Sequence, residues 1–97
     1  MYVNNEKTDG FNPERQYAFL RHFGNETLLV VANFDDKEAD VKVNIPLHAF
    51  NTLRFSEGAR TATELFTGRS ESHAIDSHTP FETAVPAHGA VVWKWTD

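Results

Sequence analysis

Short β-rich runs recur along this sequence at a spacing of roughly 8–12 residues, with turn-forming residues between them. That spacing constrains the fold most strongly, because segments this short leave no room for the crossover helices of a parallel sheet. Tyr17 to Phe23 and Thr27 to Phe34 are two such runs, joined through Gly24-Asn25. Gly and Asn tolerate the positive φ of tight hairpin turns, so the two runs predict an antiparallel hairpin. Leu28 to Ala32 is apolar on both faces, which predicts a central strand with cover on each side. Asp35-Asp36-Lys37-Glu38 reads as a charged turn. After it, Val41, Val43 and Ile45 alternate with Asp40, Lys42 and Asn44, the pattern of a half-buried antiparallel strand with one wet face, ended by Pro46.

The second half continues in the same way. Leu47, Phe50 and Leu53 recur every third residue behind Pro46, which suits one short helix or turn. Thr61 to Phe66 reads as a strand closed by Thr67-Gly68. Residues 69–80 are polar, with a short strand at Ala74-Ile75. Phe81 to Val85 and Ala90 to Trp95 supply the last two strands, around a turn bracketed by Pro86 and Gly89. Residues 1–16 are polar, broken by Gly10 and Pro13, and read as an arm or linker with one short strand at Tyr2-Val3. The expected fold is all-β: an antiparallel β-sandwich with Greek-key character, roughly six to eight strands and at most one short helix. The sandwich spans 17–97, behind the 1–16 arm. Lys94 prefers water, so Val91 and Trp93 are expected in the core, with Trp95 nearer the rim. Tyr17, Phe19 and Phe23 share one strand face and are also expected in the core, with Phe50 and Phe55 plugging the ends.

Size and charge exclude several functions. With 97 residues the chain is one domain, well below the roughly 200 residues or more of a (β/α)8 barrel. The net charge is −5, and the nine basic residues are scattered without a stripe, which argues against nucleic acid and anionic membrane surfaces as partners. The longest purely apolar run, Leu28 to Ala32, is far short of the roughly 20 residues that span a bilayer. There is no cysteine, which fits a reducing compartment and an exported bacterial domain equally, so the compartment is left open.

The chemistry-bearing residues form no catalytic pattern. There is no G-x-S-x-G elbow. His73, Asp76 and His78 have the most metal-like spacing, but they lie in a Ser/Thr-rich loop where Asp and Ser usually satisfy the backbone. Asp35, Asp36, Glu38 and Asp40 lack the spacing of a calcium loop and read as a solvated turn. Asn25-Glu26-Thr27 is a formal glycosylation sequon on the hairpin turn, discounted without evidence of eukaryotic secretion. No metal or cofactor is expected. Aromatic residues are the one source of a binding surface, since sugars stack on exposed Trp and Tyr rings. A sugar platform would draw on Trp95, Tyr17 or Tyr2.

Gln16 to Phe23, then Leu28-Leu29-Val30-Val31-Ala32-Asn33-Phe34, then Val41 to Pro46 resembles the start of the C-terminal domain of α-amylase-family enzymes, glycoside hydrolase family 13. Ala62-Thr63-Glu64-Leu65-Phe66-Thr67-Gly68 and Val85-Pro86-Ala87-His88-Gly89-Ala90-Val91-Val92-Trp93 are similar to later strands of that domain. The resemblance covers about residues 16–95. It implies a non-catalytic antiparallel sandwich that packs on a catalytic (β/α)8 barrel in the same polypeptide, stabilises it and helps position an α-glucan. The catalytic Asp and Glu residues belong to the barrel, and none of its motifs occurs here. Residues 1–16 would then be the segment arriving from the barrel. Two other readings remain: a carbohydrate-binding module with an aromatic platform, and an immunoglobulin-like interaction module.

Overall fold

The computed structural model describes residues 15–45, 58–76 and 79–96. Strands β1 (Gln16–Phe23) and β2 (Glu26–Asn33) form the expected hairpin, with Phe23 paired to Glu26 across Gly24-Asn25. Gly24 has φ 65° and Asn25 stays at negative φ, which matches a type II′ turn with glycine in its first central position. Strand β3 (Ala39–Val43) follows the charged turn. Strands β4 (Gly58–Glu64), β5 (Ser70–Ile75), β6 (Phe81–Val85) and β7 (Gly89–Thr96) complete the described elements.

The strands form an antiparallel five-stranded sheet of order β1-β2-β7-β4-β5 and a two-stranded sheet β3-β6. The chain changes sheets four times, at β2–β3, β3–β4, β5–β6 and β6–β7. This sandwich has the crossovers expected of Greek-key character. Its core lies between the layers. Ala18, Leu20, Leu29, Val31, Ala62, Ile75, Val91, Trp93 and Trp95 from the larger sheet meet Val41, Val43, Ile45, Phe81 and Val85. Burial of each large apolar side chain contributes roughly 1.5–3 kcal/mol. Phe81 links the layers, its ring centroid 5.6 Å from that of Trp93 and 5.8 Å from that of Trp95. The Trp93 indole donates to Thr83 Oγ1 at 2.9 Å, which satisfies the polar end of a buried ring.

The alternation of β3 is realised as read: Val41, Val43 and Ile45 are buried, and Asp40, Lys42 and Asn44 are exposed. Trp93 faces the core, as Lys94 on the opposite face implied. Five expectations are corrected. Trp95, expected nearer the rim, is 1% exposed and lies in the core. In β1 the inward residues are Gln16, Ala18 and Leu20, so Tyr17, Phe19 and Phe23 point outward; Phe23 is 87% exposed. The hairpin register decides this, because the small Ala18 and the flexible Leu20 sit opposite the buried Val31 and Leu29. Among the described residues the central strand β2 is covered on one side only, with Leu28, Val30 and Ala32 half-buried on the other. Strand β4 ends at Glu64, two residues early, and Phe66 lies in the turn. The polar stretch expected as mostly loop contains the six-residue strand β5. It lies at a sheet edge and carries polar residues on both faces, so no hydrophobic alternation marks it. The expected helix near Leu47–Leu53, the Tyr2-Val3 strand, Phe50 and Phe55 lie outside the described residues.

Candidate functional site

Three places could carry function: the open end between the two sheets, the polar side chains that read as ligands, and the outer face of the larger sheet.

The opening between the layers is a cavity of about 560 Å³, with Trp93 and Val91 in its wall and Asp40, Lys42, Glu64, Arg69 and Glu82 around it. Sequence reasoning had marked no carboxylate here, and the structure shows how three of them are held. Glu64 is buried at the end of β4. Its Oε1 accepts the Phe66 and Thr67 amides, each at 3.0 Å, and its Oε2 accepts the Val92 amide at 2.9 Å. Burial pushes the Glu64 pKa up, but the amides of Val92, Phe66 and Thr67 outweigh it and hold the carboxyl below its ordinary 4.5. Glu71 is ion-paired with Arg69, and His73 Nε2 donates to its Oε1 at 3.1 Å. The Arg69 contact is the main cause that sets the Glu71 pKa below its ordinary value. Glu82 faces Lys42 at 3.8 Å. A glycosidase general acid needs a raised pKa in an apolar setting. Glu64 and Glu71 are shifted the other way, so neither is tuned as such an acid, and Glu64 ties the end of β4 to the Val92 backbone of β7.

The Glu64 clamp has two expected consequences. A glutamine there keeps one acceptor but turns an amide toward the Val92 N–H, so Glu64→Gln should cost about 1.5–3 kcal/mol in urea unfolding. The folded pKa is depressed, so the charged clamp stabilises the fold above the unfolded pKa and is lost as pH falls through the folded value. The stability gap between wild type and Glu64→Gln should therefore be full at pH 7 and shrink below the ordinary 4.5.

The ligand-like residues are engaged in the fold. Asp76 Oδ1 accepts the Thr79 amide at 2.6 Å, the local backbone satisfaction expected of that loop. His73 stacks on Phe81 at 4.0 Å between centroids. His78 lies outside the described residues. Asp35 Oδ1 accepts the Asp36 amide at 2.8 Å within the charged turn.

Of the residues proposed for a sugar platform, Trp95 and Tyr17 lie on opposite faces of the larger sheet. Trp95 is buried at 1% exposure, opposite Thr27 on the inner face of the larger sheet, and presents no ring face to solvent. Tyr17 is 40% exposed on the outer face of that sheet. Tyr2 lies outside the described residues.

The outer face divides into two halves. Across β1, β2 and β7 the register sets Tyr17, Ala32 and Ala90 in one row and Phe19, Val30 and Val92 in the next. The third row is Arg21, Leu28 and Lys94, with Glu26 beside Lys94 at 3.7 Å. Across β4 and β5 the same face carries Thr61, Thr63, Ser70 and Ser72. One half is thus mainly apolar and aromatic, and the other mainly polar, with exposed Leu65 just beyond Thr63 and Glu64.

A second buried residue, Asn33, lies on the other side of β7, toward the same end of the sandwich. Asn33 Oδ1 accepts from Gln16 Nε2 and from the Asp35 amide, each at 3.1 Å. Its Nδ2 donates to the Lys37 carbonyl at 2.9 Å and reaches the Val85 carbonyl at 3.3 Å. It therefore ties together the points where the chain leaves the larger sheet after β2 and nears its return after β6. In the neighbouring turn the Gly89 amide donates to the Pro86 carbonyl at 3.1 Å, and a Cβ on Gly89 would lie 2.7 Å from Pro86 Cγ. Gly89 is required there for lack of space.

These features define a two-sheet β-sandwich in which the buried polar groups Glu64 and Asn33 satisfy its own connections. Comparison with known proteins identifies the module. The sequence model of the maltogenic amylase C-terminal domain matches residues 11–92, and the chain belongs to that family. It is thus a C-terminal domain of amylase-type enzymes of glycoside hydrolase family 13. No curated protein sequence matches it significantly. Among solved structures it resembles α-galactosidase I from Mortierella vinacea, with a TM-score of 0.67 and 17% identity over 90% of this chain and 22% of that one. It also resembles a putative α-N-acetylgalactosaminidase from Bacillus halodurans C-125, with a TM-score of 0.64 and 13% identity over 98% of this chain and 20% of that one. At these identities the likeness is one of fold. The chain spans about a fifth of the length of either structure.

Proposed function

We infer that this chain is a non-catalytic accessory domain of an amylase-type glycoside hydrolase acting on α-glucans, and that it covers and stabilises a catalytic (β/α)8 barrel in the same polypeptide. The family match over residues 11–92 carries this reading. The carboxylates support it, since the Glu64 oxygens accept three backbone amides and Glu71 is engaged by Arg69 and His73.

The 97-residue protein should release no reducing sugar from amylose or maltooligosaccharides above a buffer blank. Removing the domain from the longer polypeptide should lower the melting temperature of the barrel, followed by calorimetry. Cleavage by the isolated chain, or an upstream coding sequence without a barrel, would overturn the reading. Any part in positioning substrate would show as retarded migration in an amylose-containing native gel. Unchanged migration would leave the domain a purely supporting one.

A further inference from the structure

The cavity of about 560 Å³ between the layers lies within the roughly 300–1,000 Å³ of small-molecule sites. Val91 and Trp93, on the inner face of β7, give it an apolar wall. Its rim is polar. Lys42 and Glu82 reach it from the small sheet, and Arg69 and Glu71 from the start of β5. An apolar wall under a few convergent polar groups is the ordinary make-up of a ligand pocket. The hydrogen bonds and ion pairs of these four rim side chains are all made with described residues.

Phe66 also lines this cavity, with 71% of its surface exposed. The turn that carries it is held at every amide. Leu65 donates to the Val92 carbonyl at 2.8 Å, Phe66 and Thr67 to Glu64 Oε1 at 3.0 Å, and Gly68 to the Glu64 carbonyl at 2.8 Å. Among the described residues no other ring packs on Phe66. An exposed aromatic ring on a fixed turn loses little freedom when a ligand covers it.

We propose that this cavity binds a short stretch of α-glucan, with a sugar ring against Phe66 and its hydroxyls on the Arg69–Glu71 and Lys42–Glu82 pairs. The choice of sugar rests on the accessory-domain reading, to which the proposal adds a site of contact. Charge selects the ligand class. Four carboxylates and two cations line the cavity, which disfavours an anion. Three of the carboxylates are already engaged: Glu64 by three amides, Glu71 by Arg69 and His73, and Glu82 by Lys42. A cation therefore finds no free carboxylate pair, and a neutral ligand rich in hydroxyls fits best. A carboxylate accepts from hydroxyls, while a guanidinium or ammonium donates to them, so each rim pair offers both halves of what a sugar needs. The Arg69 side chain is 70% exposed and that of Lys42 53%, so turning these pairs toward a ligand costs little. The apolar C–H face of the sugar ring covers Phe66. Neither Trp95 nor Tyr17 lines this cavity.

Titration of the isotope-labelled 97-residue protein with maltotriose, followed by NMR amide shifts, tests the site. The amides of Phe66, Thr67, Arg69 and Glu71 should shift and saturate in the millimolar range, while those of Tyr17 and Phe19 stay in place. Phe66→Ala and Arg69→Gln alter exposed side chains and should each weaken binding about tenfold with the fold intact. Absence of saturable shifts overturns the site and leaves the accessory-domain reading standing. Shifts centred on Tyr17 and Phe19 do the same, as does unchanged affinity in both variants. Equal shifts with cellotriose, its β-linked counterpart, overturn the assignment to α-glucan. Glucose and maltose released in the titrated sample would instead remove the non-catalytic reading, and the proposal with it.

Discussion

Trp95→Ala should destabilise the domain by about 3–5 kcal/mol, the largest loss expected from any single side chain described here. The indole is 1% exposed, near the end of the last strand, and packs against Phe81 across the sandwich. Its removal opens a cavity that both sheets would have to collapse to fill. A domain of this size has roughly 5–15 kcal/mol of stability in total. The melting temperature should therefore fall by some tens of degrees, since each kcal/mol moves it by about 4–8 °C at this size. Thermal unfolding followed by circular dichroism measures the loss. Phe23→Ala is the comparison: another aromatic, but 87% exposed, and expected to change stability by less than about 0.5 kcal/mol. A drop for Phe23→Ala equal to that for Trp95→Ala would contradict the orientation of β1.

The second large effect is expected at Asn33. Alanine there removes a side chain that accepts from Gln16 and Asp35 and donates to the carbonyls of Lys37 and Val85. These groups lie at or near the junction of two crossovers, where the backbone has left one ladder and has not yet joined the next. A buried donor or acceptor deprived of its partner costs about 1–3 kcal/mol. With several orphaned at once, and water able to reach the outer ones, Asn33→Ala should cost about 2–4 kcal/mol. Urea unfolding measures it. Gln16→Ala removes one contact of the same network and should cost less. A loss at Asn33 no greater than at Gln16 would show that the junction is held by other means.

Both buried polar residues lie in the segments that carry the family resemblance. The pair Asn33-Phe34 ends the apolar strand, and Glu64 sits before the Leu65-Phe66-Thr67-Gly68 turn. The structure supplies a physical reason for each. The two residues satisfy backbone groups at connections that a sheet ladder leaves open, one on each side of β7. The part of each role that joins separate strands is not legible in the sequence, because it reaches far along the chain: Val85 lies 52 residues from Asn33, and Val92 lies 28 from Glu64.

The strand periodicities alone determined the all-β class, the hairpin through Gly24-Asn25, the wet and dry faces of β3 and the inward Trp93. Each follows from local physics, either the two-residue repeat of a strand or the positive φ that glycine accepts. Alternation shows that a strand has two faces but does not say which face meets the core when both are apolar. In β1 the aromatic face Tyr17, Phe19 and Phe23 outweighs Ala18 and Leu20 in area, and area pointed it inward. Only pairing with β2, and the fit of Val31 and Leu29 against the small sheet, turned it outward. That choice belongs to the tertiary structure because it depends on the volume available between the layers. It placed the smaller side chains inside and left the aromatic face of the hairpin on the surface.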